Sequence, residues 1–141
     1  MDEDQSGGNR STGWVGIMDN LERKRVLVVE DEVFVALDMA ATIEDANGTV
    51  VGPVATVRQA LDLLEQDHVD AAILDVNLPD GDIEPIVDAL SDQHTFMVIY
   101  TGGGLPESLA RRYPELPVFH KPTPPSVLTH TLASALLHHT G

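Results

Sequence analysis

Cysteine is absent from the 141 residues, which excludes disulfides and thiolate chemistry and suits a cytosolic protein. Cations are scarce as well: eight Lys and Arg stand against 23 Asp and Glu, for a net charge of −15. Such a surface repels nucleic acid and anionic membrane, so the expected partners are proteins or cations. No apolar run approaches the ~18 residues of a membrane span, and the N-terminus carries no signal-peptide pattern. What is present is a 43% apolar composition, enough for one globular core. The chain reads as a cytoplasmic protein that binds neither nucleic acid nor membrane.

Residues 1–22 are rich in Asp, Gly, Ser and Asn, with scattered apolar positions at Trp14, Val15, Ile17 and Met18 and no periodicity. This composition predicts a flexible N-terminal tail ahead of a domain over 23–141. From Arg25 onward the pattern is regular. Val26-Leu27-Val28-Val29 is a short β-branched strand ending in Glu30-Asp31-Glu32. Residues 33–46 place Val33, Leu37, Ala40, Ala41 and Ile43 at helical spacing, and Asn47-Gly48 stops that helix. A second strand over 49–55 contains Gly52-Pro53, which suits a sheet edge. Thr56 caps a helix with Ala60, Leu61, Leu63 and Leu64 on its inner side.

Ala71 to Leu74 is a continuous apolar run, the pattern of a strand buried on both faces, yet the next residue is Asp75. Pro79 and Asp80-Gly81 then turn the chain into a helix near 84–90. A fourth strand over 96–100 leads into Thr101-Gly102-Gly103-Gly104. A short helix near 106–112, a small strand over 117–120, Lys121-Pro122 and a helix over 125–138 complete the chain. In the last helix, Val127, Leu128, Leu132, Leu136 and Leu137 form the expected core stripe, and His138-His139 suit the helix C-terminus. Five strands alternating with five helices predict an α/β doubly wound, five-stranded parallel sheet. Right-handed crossovers favour the flavodoxin-like order 2-1-3-4-5.

Ligands of such folds bind at the carboxyl ends of the strands, where the winding reverses between strands 1 and 3. Those ends carry Glu30 and Asp31, then Asp75, Thr101 and Lys121. Three clustered carboxylates raise one another's affinity for protons or a cation. Oxygen ligands suit a hard divalent ion such as Mg²⁺. An ammonium and a hydroxyl beside it form a pocket for phosphoryl oxygens. A carboxylate there can attack phosphorus and form an acyl phosphate, which makes Asp75 a candidate nucleophile.

The blocks Val26-Leu27-Val28-Val29-Glu30-Asp31-Glu32, Ile73-Leu74-Asp75-Val76-Asn77-Leu78-Pro79, Tyr100-Thr101-Gly102 and His120-Lys121-Pro122 resemble the signature blocks of receiver domains of two-component response regulators. The resemblance covers about 115 of 141 residues. It implies that Asp75 accepts a phosphoryl group from a histidine kinase or histidine phosphotransfer protein. It also implies Mg²⁺ (or Mn²⁺) held by Asp31, Asp75 and the backbone carbonyl of Asn77, with Glu30 acting through water. Thr101 and Lys121 would bind the phosphoryl oxygens, and the Lys121–Pro122 bond would be cis.

Two places depart from the common receiver pattern. Gly81 arrives two residues early after Asp75, and Val118 occupies the place of an aromatic residue three before the lysine. The run after Thr101 and the Pro-Val-Phe-x-Lys-Pro block are similar to stand-alone bacterial receivers named for a Phe-Ala-Thr-Gly segment, with Ile99 and Tyr100 replacing its Phe and Ala. Output would then pass through a protein partner, or the protein would act as a phosphate sink. The expected state is a monomer or weak homodimer.

With Val118 unable to report a ring flip, Gly102, Gly103 and Gly104 are expected to open a mobile segment reaching about Arg112. The alternative reading is a phosphatase or phosphotransferase using an aspartyl phosphate. The haloacid-dehalogenase-like version of such an enzyme wants an Asp where this chain has Asn77. A flavodoxin-like electron carrier is disfavoured because Glu30-Asp31 would repel an FMN phosphate.

Overall fold

The computed structural model describes residues 20–137. Trp14 and most of the expected tail, and His138-His139 at the other end, lie outside them. Five strands and five helices alternate: β1 (Arg25–Val29), α1 (Val33–Asp45), β2 (Thr49–Val54), α2 (Val57–Gln66), β3 (Ala71–Leu74), α3 (Glu84–Asp92), β4 (Phe96–Thr101), α4 (Glu107–Arg112), β5 (Val118–His120) and α5 (Pro125–Leu137). The strands pair in parallel in the order β2-β1-β3-β4-β5, the flavodoxin-like order. β2 lies at the edge, where its Gly52-Pro53 step coincides with a register shift against β1 between Leu27 and Val29.

The strand residues alternate between two cores, as a sheet covered on both faces requires. Leu27, Val29, Ala72, Leu74 and Ile99 point towards α2, α3 and α4, meeting Ala60, Ile86, Leu90 and Leu109. Val26, Val28, Ile73, Val98 and Tyr100 point the other way, towards Met39 and Ile43 of α1 and Leu128 and Leu132 of α5. Thr56 caps α2 by accepting a bond from the Gln59 amide at 3.0 Å.

Three expectations need correcting. Leu21, assigned to the tail, is fully buried and donates its amide to Ala46 O at 2.7 Å, so the folded unit begins before residue 23. In α1 the inner face is Ala36, Met39 and Ile43, while Val33 and Leu37 are exposed. At ~100° per residue Leu37 is turned away from Ala36, and Val33 opens the first turn of the helix. In α5, Leu128, Thr129, Leu132, Ala133 and Leu136 are buried, whereas Val127 and Leu137 are exposed. Leu137 lies about half a turn round from Leu128 on the same spacing.

Candidate functional site

The strand ends assemble the site. β3 ends at Leu74, and the Asp75 amide continues the ladder by donating to Val29 O at 2.9 Å. Asp75 is thereby held at 3% exposure. β1 delivers Glu30, 5% exposed, and the solvent-facing Asp31 just beyond it. Carboxylate oxygens of Glu30, Asp31 and Asp75 all lie within 4.8 Å of one another. β4 ends on Thr101, which is fully buried. β5 carries the chain to Lys121, whose amide donates to Thr101 O at 2.9 Å. The Lys121–Pro122 peptide is cis.

Lys121 is the electrostatic hub. Its Nζ lies 2.9 Å from Glu30 Oε1 and 3.4 Å from both Asp75 Oδ2 and Glu32 Oε2. It also sits 5.4 Å from the centre of the Tyr100 ring. Burial alone would strip charge from this ammonium. The hydrogen bond and charge of Glu30, with Asp75 and Glu32, outweigh burial and hold its pKa above the ordinary lysine value. Glu30 is driven towards its neutral form. Burial, reinforced by the charge of Asp75, pushes its carboxyl up to about 7, although the Glu32 amide and Lys121 both bond to it. The lysine therefore keeps its proton, while Glu30 is moved towards its neutral form.

Asn77 ties the turn after Asp75 to the end of β4. Its amide donates to Asp75 Oδ1 at 3.2 Å, and its Nδ2 donates to Thr101 Oγ1 at 3.4 Å. The Gly103 amide donates to the same hydroxyl oxygen at 3.2 Å. Val118 packs against the core on the α2–α4 side, so no ring stands at that position. Tyr100 lies on the other face, its hydroxyl donating to Thr123 O at 3.0 Å and accepting from the Thr123 amide at 3.3 Å.

All the expected strand-end residues meet at this rim. The hard-oxygen set of Glu30, Asp31 and Asp75 fits a divalent ion such as Mg²⁺, which takes carboxylates and retains water. Glu32 and Tyr100 were not foreseen as neighbours of Lys121. Glu32 had a signal in the unbroken Glu30-Asp31-Glu32 run; Tyr100 had none, since its contact arises only when β4 and β5 pair.

Residues 26–116 match the response regulator receiver domain family. Among solved structures, the BeF3-activated conformation of SdrG from Pseudomonas melonis Fr1 is 37% identical, with a TM-score of 0.63 over 79% of this chain and 95% of that one. The response regulator PhyR from Brucella abortus is 25% identical, with a TM-score of 0.73 over 92% of this chain and 54% of PhyR. A curated relative, transcriptional regulatory protein PdtaR of Mycobacterium tuberculosis, is 32% identical over 59 residues, 42% of this chain and 29% of that protein. The chain thus spans about half of PhyR and matches less than a third of PdtaR.

Proposed function

Because this chain belongs to the response regulator receiver domain family, a family of signalling domains, we propose that Asp75 takes a phosphoryl group from a phosphohistidine of a histidine kinase or histidine phosphotransfer protein. The observation that carries this reading is the placement of Asp75. It is a carboxylate 3% exposed, beside the Lys121 ammonium and within reach of Glu30 and Asp31.

Asp75 Oδ1 is occupied by the Asn77 amide, which leaves Oδ2, on the Lys121 side, as the attacking oxygen. As its bond to phosphorus forms, the donor's N–P bond breaks and the ring, already protonated on its other nitrogen, takes the electron pair and leaves as neutral imidazole. Asp31, Asp75 and the Asn77 carbonyl, with Glu30 through water, would hold Mg²⁺ (or Mn²⁺), which neutralises charge on the phosphoryl oxygens. Lys121 exchanges its contact with Asp75 for a phosphoryl oxygen. Thr101 donates its hydroxyl hydrogen to another, while its lone pairs still accept from Asn77 and Gly103.

Val33, Phe34 and Leu37, exposed at 65%, 86% and 56%, begin α1 directly beyond Asp31 and Glu32. That apolar patch beside the acceptor suits a donor's docking face. The charge added at Asp75 then draws on Thr101, and the segment from Gly102 is the part free to respond, signalling to a protein partner or storing phosphate. A phosphatase reading lacks a general acid at Asn77, whose carboxamide is spent on Thr101.

The test is incubation with a small phosphodonor and Mg²⁺, followed by intact-mass analysis. Wild type should gain one phosphoryl group and Asp75→Asn none. Undiminished incorporation in the variant would sink the assignment.

A further inference from the structure

The turn that follows Asp75 is held from outside itself, by the start of α2. Leu78 is buried and forms an isolated antiparallel bridge with Gly81, so the turn closes on itself with Pro79 and Asp80 at its tip. Gly81 has φ +136°, in the range glycine tolerates, and returns the chain from that tip. The Asp80 carboxylate then reaches the start of α2. Oδ1 accepts from the Val57 amide at 2.8 Å and Oδ2 from the Arg58 amide at 3.0 Å.

These are the first two amides of α2, and the third, Gln59, is satisfied by Thr56. Asp80 is therefore a helix cap supplied from 23 residues away in sequence. Two parallel bonds to one carboxylate fix orientation as well as position, and the positive end of the helix favours the charge. The Val57 and Arg58 amides accordingly hold the Asp80 carboxyl below its ordinary value.

We propose that Asp80 is a positioning residue for the acceptor site: clamped on α2, it braces the turn that presents the Asn77 carbonyl. The proposal deepens the reading above and rests on that carbonyl being a metal ligand. Asn77 itself is exposed, and its bonds to Asp75 and Thr101 are long, at 3.2 and 3.4 Å. The firm anchors of the turn are therefore Leu78 on one side and Asp80 on the other. Mg²⁺ demands near-ideal octahedral geometry, so a carbonyl ligand on a loosened turn binds it less well.

Three variants separate bracing from helix capping: Asp80→Ala, Asp80→Asn and Thr56→Ala. Mg²⁺ titration is followed by thermal shift, and amide hydrogen exchange is followed across residues 76–81. Asp80→Ala should weaken Mg²⁺ binding by about tenfold, as loss of a ligand-orienting partner does, and speed exchange at Asn77 and Leu78. Asp80→Asn, which keeps one acceptor oxygen, should fall between it and wild type. Thr56→Ala, which removes a cap bond on the same helix without touching the turn, should lower the melting temperature yet leave Mg²⁺ affinity unchanged.

The inference is overturned if Asp80→Ala behaves as Thr56→Ala does, less stable but with unaltered Mg²⁺ affinity and exchange. A wild type that shows no response to Mg²⁺ would instead remove the metal reading. Exchange at Asn77 and Leu78 would then decide the bracing alone, faster exchange in Asp80→Ala upholding it and unchanged exchange ending it.

Discussion

At Glu30, burial and the charge of Asp75 act together against the hydrogen bonds from Glu32 and Lys121. The Glu30 side chain is 4% exposed, and burial moves its pKa from 4.5 to about 7. The folded state therefore binds more protons than the unfolded state across that window, and linkage makes the Glu30 contribution to stability fall as pH rises through it. In Mg²⁺-free buffer the contribution should be complete below pH 4.5 and lost above about 7. Glu30→Gln holds the group neutral at every pH. Its melting temperature relative to wild type should therefore rise between those limits, as thermal melts across a pH series would show. A constant difference across the series would mean that Glu30 titrates as an exposed carboxyl. The same residue explains how three carboxylates coexist: Lys121 offsets part of their repulsion, and the rest is what a divalent ion would relieve.

Among the elements, α1 depends on a residue that composition assigned to the tail. Leu21 is fully buried, and a Cβ added at Gly48 would stand 3.0 Å from Leu21 Cβ and 2.8 Å from Ile43 Cγ2. Leu21→Ala should cost ~2–5 kcal/mol through the cavity it leaves, and Gly48→Ala ~1–3 kcal/mol through overpacking. Denaturant unfolding measures both, and a cost below ~0.5 kcal/mol for Leu21→Ala would place that residue outside the cooperative unit.

At the other end of the sheet, α4 is tethered to α3. Arg112 pairs with Glu84 and with Asp88 at 2.7 Å, the Tyr113 hydroxyl donates to Asp88, and Leu109 is fully buried. Gly102, Gly103 and Gly104 have no such anchor beyond the Gly103 amide on Thr101, and a Cβ at Gly102 or Gly104 would meet nothing within 4 Å. The response to phosphorylation should therefore concentrate in 102–106 and fade across α4. Hydrogen exchange with and without beryllofluoride would show it. Unchanged protection in 102–106, already high in the free protein, would refute it. These contacts narrow the segment that the sequence pattern extended to Arg112.

For the molecule as a whole, the net charge of −15 sets the terms of association. Phosphorylation adds roughly −1.5 to −2 more, so the field around the acceptor becomes still less hospitable to polyanions. This chain should give no specific, salt-sensitive shift with duplex DNA at near-physiological ionic strength, phosphorylated or not. A shift that weakens steeply with added salt would contradict that. No helix among the described residues is long and apolar enough to cross a membrane. The sheet divides the interior into two cores, with α1 and α5 over one and α2, α3 and α4 over the other, and the Glu30, Asp31 and Asp75 cluster lies at the rim between them.

The amino-acid order by itself determined, to within a residue, where each strand ends. Strand and helix periods are local properties, and βαβ handedness leaves few ways to arrange five such units. Glu30, Asp31, Asp75, Thr101 and Lys121 were therefore legible as one rim before any coordinate. Facing and burial were less so. Val33 and Leu37 carry apolar side chains at helical spacing, yet which side of α1 meets the sheet depends on how the helix rolls onto Val26 and Val28. Leu21 looks like tail until Ile43 and Gly48 close around it. The bond from Asp80 to α2 spans 23 residues, and the contact of Lys121 with Glu32 spans 89. No periodicity encodes pairs at such separations, because they form only where the chain is brought back on itself. The pKa of Glu30 belongs to the same class, since a side chain has no desolvation until its neighbours have packed.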